Sequence, residues 1–226
     1  MIPIRDTIRS RTTPYVNYTL IAISVLTFLL QISTGQGSSE AFFRMFAVTP
    51  REIHETILQF RPTVHSVATL VTSMFVHGGW GHLIGNILYL HVFGDNVEDR
   101  LGHGSYAVFY LLCGTGASLA EILAQGPSGV PLVGASGAIA GVLGAYFLLF
   151  PRARVLTIIP LLFVFPVVQI SAWFFLGFWF LLQFVQGSIS LGETGGGGVA
   201  WWAHTGGFLA GAALLPFFLL LRRIRS

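Results

Sequence analysis

Long apolar runs, separated by short clusters of arginine and acidic residues, restrict this chain to a membrane fold before any motif is considered. A helix needs about 20 mostly apolar residues to cross the hydrocarbon core of a bilayer. The 226 residues therefore accommodate six crossings with modest loops and leave no room for a separate soluble domain. Charged residues make up 9% of the chain, against about 25% in a typical soluble domain. The expected fold is an all-α membrane protein, a single domain over residues 1–226. Its six transmembrane helices are placed near residues 15–32, 81–94, 105–123, 136–150, 167–186 and 199–221.

The distribution of charge matters more than its sum. A net charge of +3 could suit nucleic acid, but the chain has no lysine and its arginines sit beside apolar segments, as topology signals do. An N-terminus in the cytoplasm puts Arg5, Arg9, Arg11, Arg100, Arg152, Arg154, Arg222, Arg223 and Arg225 inside. Only Arg44, Arg51 and Arg61 then lie outside, all in one long first loop. Both termini are thus expected in the cytoplasm, with the lipid bilayer as partner and no nucleic acid. The single cysteine, Cys113, excludes an intrachain disulfide and a cysteine-type metal cluster. The basic N-terminus followed by an apolar run resembles a signal sequence. No Ala-x-Ala site follows it, so an uncleaved first helix is expected.

Punctuation within the runs shapes the remaining expectations. The apolar stretch 155–186 exceeds one crossing and is divided by Pro160 and Pro166. Proline removes a helix hydrogen bond, so the part before residue 167 is expected to lie shallow or irregular. Residues 187–198, with four consecutive glycines at 195–198, read as a flexible loop.

Three polar phrases interrupt this apolar background: His82-Leu-Ile-Gly-Asn86, Gly134-Ala-Ser136-Gly137 and Ala203-His204-Thr-Gly-Gly207. With the orientation above, all three fall near the outer ends of their helices. Each has an ordinary explanation taken singly. A histidine at a helix end is commonly interfacial, and small residues spaced by four, such as Gly137 with Gly141 and Gly207 with Gly211, line close helix contacts. Polar groups in lipid are nonetheless costly and mark function by default. Two glycine-faced helices packed backbone to backbone would bring His204 within reach of Ser136. His204 could then take the Ser136 proton during attack on a carbonyl. The Ser136 backbone N–H and the side chains of His82 and Asn86 are candidate oxyanion donors. Asp6, Asp95 and Asp99 all fall on the cytoplasmic side, so the expected site is a serine–histidine dyad. No cofactor is implied. A zinc-type His-Glu-x-x-His is broken by Leu58 after His54-Glu55, so no metal is expected either.

Together these phrases resemble the signature of the rhomboid serine proteases, over most of the chain. The resemblance rests on His77-Gly-Gly-Trp-Gly-His82-Leu-Ile-Gly-Asn86, Gly134-Ala-Ser136-Gly137, Ala203-His204-x-Gly-Gly207-x-x-x-Gly211 and the acidic–basic phrase Glu98-Asp-Arg100-Leu-Gly102. It implies a six-helix bundle of the minimal prokaryotic kind in a cytoplasmic membrane, with Ser136 as nucleophile and His204 as base. His82 and Asn86 would stabilise the oxyanion, and His77 would support them at the rim. Substrates would be single-pass transmembrane proteins, admitted by a gate formed from the fifth helix and the 187–198 loop. Many members carry a Trp-Arg pair in the first loop; here Ala68-Thr69 stands there, which leaves that loop to be held in another way. Two other readings are a silent rhomboid-like scaffold that binds transmembrane helices and a small transporter using His82, His91 and His204. His103 and Glu121 have no assigned role, and Glu121, near the outer end of the third helix, is the ionisable group expected to repay examination.

Overall fold

A computed structural model describes residues 1–33, 35–56, 59–191 and 198–225. In chain order its elements are β1 (Ile2–Asp6), α1 (Tyr15–Ser33), α2 (Gln36–Phe46), α3 (Pro50–Thr56), α4 (Val64–Thr72), α5 (Trp80–Leu101), α6 (His103–Gln125), α7 (Ser136–Leu149), β2 (Arg154–Ile158), β3 (Val167–Ser171), α8 (Ala172–Ser190) and α9 (Trp201–Arg225). Helices α1, α6, α8 and α9 are long and apolar enough to cross a membrane, while α7 is apolar but shorter. The protein is thus a mostly helical, multi-pass membrane protein.

It is not all-α. Three strands form an antiparallel sheet in the order β1-β2-β3, with Ile2 opposite Ile158 and Arg154 opposite Ser171. The reason is local. Pro160 and Pro166 forbid a continuous helix, and the β-branched runs on either side suit extended backbone. They pair as a hairpin, and β1 adds the third strand. The fifth long helix consequently begins at Ala172 rather than 167, and it runs to Ser190, past the expected end at 186. Residues 187–190 of the expected loop are therefore helical, while 192–197 lie outside the described residues.

The second long helix also outruns its expected end at 94. Helix α5 continues through the acidic–basic phrase to Leu101, where Gly102, at φ +82°, ends it. The extension is tied to α1. The buried Glu98 carboxylate accepts the backbone N–H groups of Val16 (3.0 Å) and Asn17 (2.7 Å), unpaired donors in the first turn of α1. Smaller shifts extend the first, third and sixth helices to Ser33, His103–Gln125 and Trp201–Arg225, and end the fourth at Leu149.

Helix α7 occupies the centre, buried from Gly137 to Tyr146. It meets α9 along a glycine seam. A Cβ on Gly211 would land on the Gly141 carbonyl, and one on Gly207 on the Gly137 carbonyl. Only residues without a side chain allow two helix backbones this close. The first loop folds as α2–α4 over a separate small core of Val48, Ile53, Leu70 and Ile122. Backbone bonds between Val48 and Leu132 (3.2 and 2.8 Å) and from Arg51 to Ser128 (2.9 Å) fasten it beside the segment that leads into α7. These contacts hold the loop where the Trp-Arg pair is absent.

Candidate active site

Ser136 is the first residue of α7, His204 lies in the first turn of α9, and His82 and Asn86 are one turn apart on α5. All stand at the same end of the bundle. The glycine seam sets the spacing of α7 and α9, and there the Ser136 hydroxyl meets His204 Nε2 at 2.8 Å. The other ring nitrogen, Nδ1, donates to Gln183 Oε1 on α8 at 2.7 Å. A side-chain carbonyl oxygen accepts only, so Nδ1 carries the proton and Nε2 keeps its lone pair for the serine. The rings of Trp179 and Trp201 lie 5.7 and 6.3 Å from the imidazole, so α8 and α9 both bound it.

Gln183 is buried and was missed by sequence reasoning. The signal was present: an amide at the end of the apolar run 172–182 carries the same cost in lipid that singled out Asn86. Glu121 also acquires a place. Its carboxylate accepts the backbone N–H of Ala203 at 2.8 Å, capping the start of α9 immediately before His204. The same device, a buried glutamate on a neighbouring helix, starts α1 at Glu98 and α9 at Glu121.

His82, Asn86, Ser136 and His204 share one cavity of about 540 Å³, which Tyr89 and Trp179 also line. Gly134, at φ +116°, brings the chain past His82; a side chain there would strike the imidazole. The Asn86 amide nitrogen is buried with no hydrogen-bond partner among the described residues. Such an orphaned donor costs about 1–3 kcal/mol, and it lies beside Gly134, where an added Cβ would stand 3.6 Å from it. His77 does not stand at an exposed rim. It is fully buried, its ring 5.2 Å from that of His82, and its backbone carbonyl accepts from Gln31 at 2.8 Å. Burial, with His82 nearby, lowers its pKa to about 4, so it packs as a neutral ring.

No group of three or more His, Cys, Asp or Glu side chains able to hold a metal occurs among the described residues. What the cavity offers is a serine hydroxyl aligned on an imidazole of defined tautomer, beside an unpaired amide donor. That combination suits nucleophilic attack on a carbonyl.

Residues 64–221 match the family described as Rhomboid domain. The chain is 32% identical to Rhomboid protease GluP of Bacillus subtilis over 211 residues, which is 89% of this chain and 35% of that protein. It is 35% identical over 125 residues to Rhomboid protein 1, mitochondrial, of Saccharomyces cerevisiae, covering 52% of this chain and 34% of the relative. A shorter match, 41% over 71 residues, covers 31% of this chain and 25% of Rhomboid-like protein 11, chloroplastic, of Arabidopsis thaliana. The chain thus spans only about a quarter to a third of the length of these relatives.

Proposed function

Because the chain belongs to the rhomboid family, we propose that it is an intramembrane serine endopeptidase that cleaves single-pass transmembrane proteins. The observation that carries this reading is the hydrogen-bonded chain Ser136–His204–Gln183, at 2.8 and 2.7 Å, inside a cavity of an apolar bundle. His204 Nε2 takes the Ser136 proton as the serine oxygen attacks the scissile carbonyl carbon. The oxyanion is stabilised by the Ser136 backbone N–H, His82 and the otherwise unpaired Asn86 amide. The proton then passes to the leaving amine, and the peptide remains on Ser136 as an ester. A water deprotonated by His204 hydrolyses that ester and restores the serine.

Gln183 acts as the positioning group in place of a carboxylate. It holds the imidazole in the productive tautomer without adding a charge to the apolar interior, which extends the expected dyad by one neutral member. Helices α1, α5, α6, α7, α8 and α9 would make the six crossings. Nine arginines against three favour both termini in the cytoplasm, and the relative from Bacillus subtilis supports a bacterial cell membrane. Substrate would enter between α5 and α8, which flank the cavity through Tyr89 and Trp179.

The test is cleavage of a single-pass transmembrane substrate by the purified protein in liposomes, with Ser136→Ala and His204→Ala beside it. Cleavage that survives in Ser136→Ala sinks the mechanism. Substrate binding with no cleavage by the unaltered protein would favour the scaffold reading instead.

A further inference from the structure

At the end of the bundle opposite Ser136, three segments distant in sequence converge on a second cavity, of about 490 Å³. The stretch between β1 and α1 contributes Arg9, Arg11 and Thr12, the end of α5 contributes Asp99 and Arg100, and the end of α9 contributes Arg222 and Arg223. Its lone carboxylate is already engaged: Asp99 Oδ1 accepts from the Thr12 backbone N–H (3.0 Å) and hydroxyl (2.8 Å). Arg222 donates to the Asp99 backbone carbonyl, and Arg100 lies over the Phe150 ring at 5.9 Å. Neither contact neutralises a charge. Among the described residues, Arg9, Arg11, Arg100 and Arg222 have no carboxylate within salt-bridge distance.

Like charges gathered in a concavity repel one another and draw in an anion. Guanidinium groups match phosphate oxygens in fork geometry, which selects a phosphate over a simple halide. Ile8, Phe150 and Leu219 make an apolar stretch of the wall, and Asn96, whose amide donates to Asp6 and Asp95, completes it. A soluble phosphate has no use for such a wall, whereas a phospholipid does. The cavity also lies where membrane helices end, the position at which basic pockets meet lipid headgroups. Topology alone asks for arginines on this side but not for their convergence. Arg5, Arg152 and Arg154 satisfy topology from outside the cavity.

We infer that this cavity binds the phosphate headgroup of an anionic phospholipid, held by Arg9, Arg11, Arg100 and Arg222, with the lipid's apolar part against Phe150 and Leu219. The site thereby ties the N-terminal segment to the ends of α5 and α9. The experiment uses the full chain in nanodiscs of phosphatidylcholine titrated with phosphatidylglycerol, with bound lipid counted by native mass spectrometry. The protein should retain phosphatidylglycerol over phosphatidylcholine. Arg9→Gln/Arg11→Gln/Arg100→Gln should weaken that retention at least about tenfold, while Arg5→Gln/Arg152→Gln/Arg154→Gln should change it less than about twofold. Arg9→Gln/Arg11→Gln, altered only outside the helices, should give an intermediate loss and keeps the test valid if the triple variant folds poorly. Equal loss from both triple variants, full retention by the double variant, or no preference for phosphatidylglycerol would each overturn the proposal. Displacement of the lipid by millimolar inorganic phosphate would overturn it too, by assigning the cavity to a soluble anion.

Discussion

Helices α7 and α8 are neighbours in sequence and similarly apolar, yet they end in opposite situations. Ten of the fourteen residues of α7 are buried, and its glycines let α9 approach backbone to backbone. Only five of the nineteen residues of α8 are buried, and it meets the bundle through Phe175 against Phe93 and through Trp179 and Phe180 against Phe208. The candidate site straddles this difference. Ser136 and His204 stand on the tight seam, whereas Gln183, which accepts from His204, stands on the less buried helix. Shifting α8 alone would break the Gln183–His204 bond and leave the serine–histidine spacing intact.

The largest effect should come from the seam side of the site. Ser136→Ala and His204→Ala should each lower cleavage by at least about a thousandfold, and Ser136→Ala should abolish labelling by a fluorophosphonate. Thermal unfolding of Ser136→Ala should match the unaltered protein.

Substituting the glycines contrasts the two helices directly. Gly211→Val has no space, since its Cβ meets the Gly141 carbonyl, and should destabilise by about 3 kcal/mol or more. Gly177→Ala on α8 has its nearest neighbour, Phe147, at an ordinary 3.7 Å. It should be neutral or stabilise by up to about 1 kcal/mol through helix propensity. Similar losses of melting temperature in both variants would erase the proposed contrast.

Next in size is the positioning bond. Gln183→Leu should lower kcat about ten- to a hundredfold with KM nearly unchanged, the scale of a slightly misplaced catalytic group. Gln183→Glu, which keeps an acceptor for Nδ1–H, should recover part of the rate and alter the pH profile. A Gln183→Leu variant with normal kcat would remove this residue from the proposed mechanism. Glu121→Ala should cost about 1 kcal/mol of stability through the lost cap of α9, and Glu121→Gln less, because the amide oxygen still accepts.

The smallest effect concerns the far end of the molecule. Burial raises the Asp6 carboxyl from 3.8 to about 6, although the Tyr146 hydroxyl donates to it. Between these values the folded state holds a proton that the unfolded chain has released. Asp6 therefore favours folding at low pH, and this contribution is lost as pH rises through about 6. Asp6→Asn should flatten that part of the stability profile, by a few degrees at most, with no change near Ser136.

The parts legible in the sequence were those with a local cause. Apolar runs marked the long helices, and Gly137, Gly141, Gly207 and Gly211 marked the surfaces that meet. Ser136, His82, Asn86 and His204 stood out because polar groups in lipid need a reason. The sheet was not legible in the same way. Strand β2 reads Arg-Val-Leu-Thr-Ile, apolar enough to pass for a membrane segment, and its partner β1 lies about 150 residues earlier. Gln183 obeyed the same rule as Asn86 but stood in no recognisable phrase. Glu98 read as part of an acidic–basic cluster at a helix end, and nothing local showed that it receives the start of α1.

By itself, the sequence determined that this chain lives in a bilayer, where its long helices run, and which polar residues needed a function. Those properties follow from the cost of burying each residue and act within a turn or two of helix. Only the tertiary structure decided that His204 is oriented by a glutamine, that two glutamates begin other helices, and that distant arginines share one cavity. Each depends on a few ångströms between segments dozens of residues apart. In the half that holds the candidate site, those distances are set by how closely glycine lets two backbones approach.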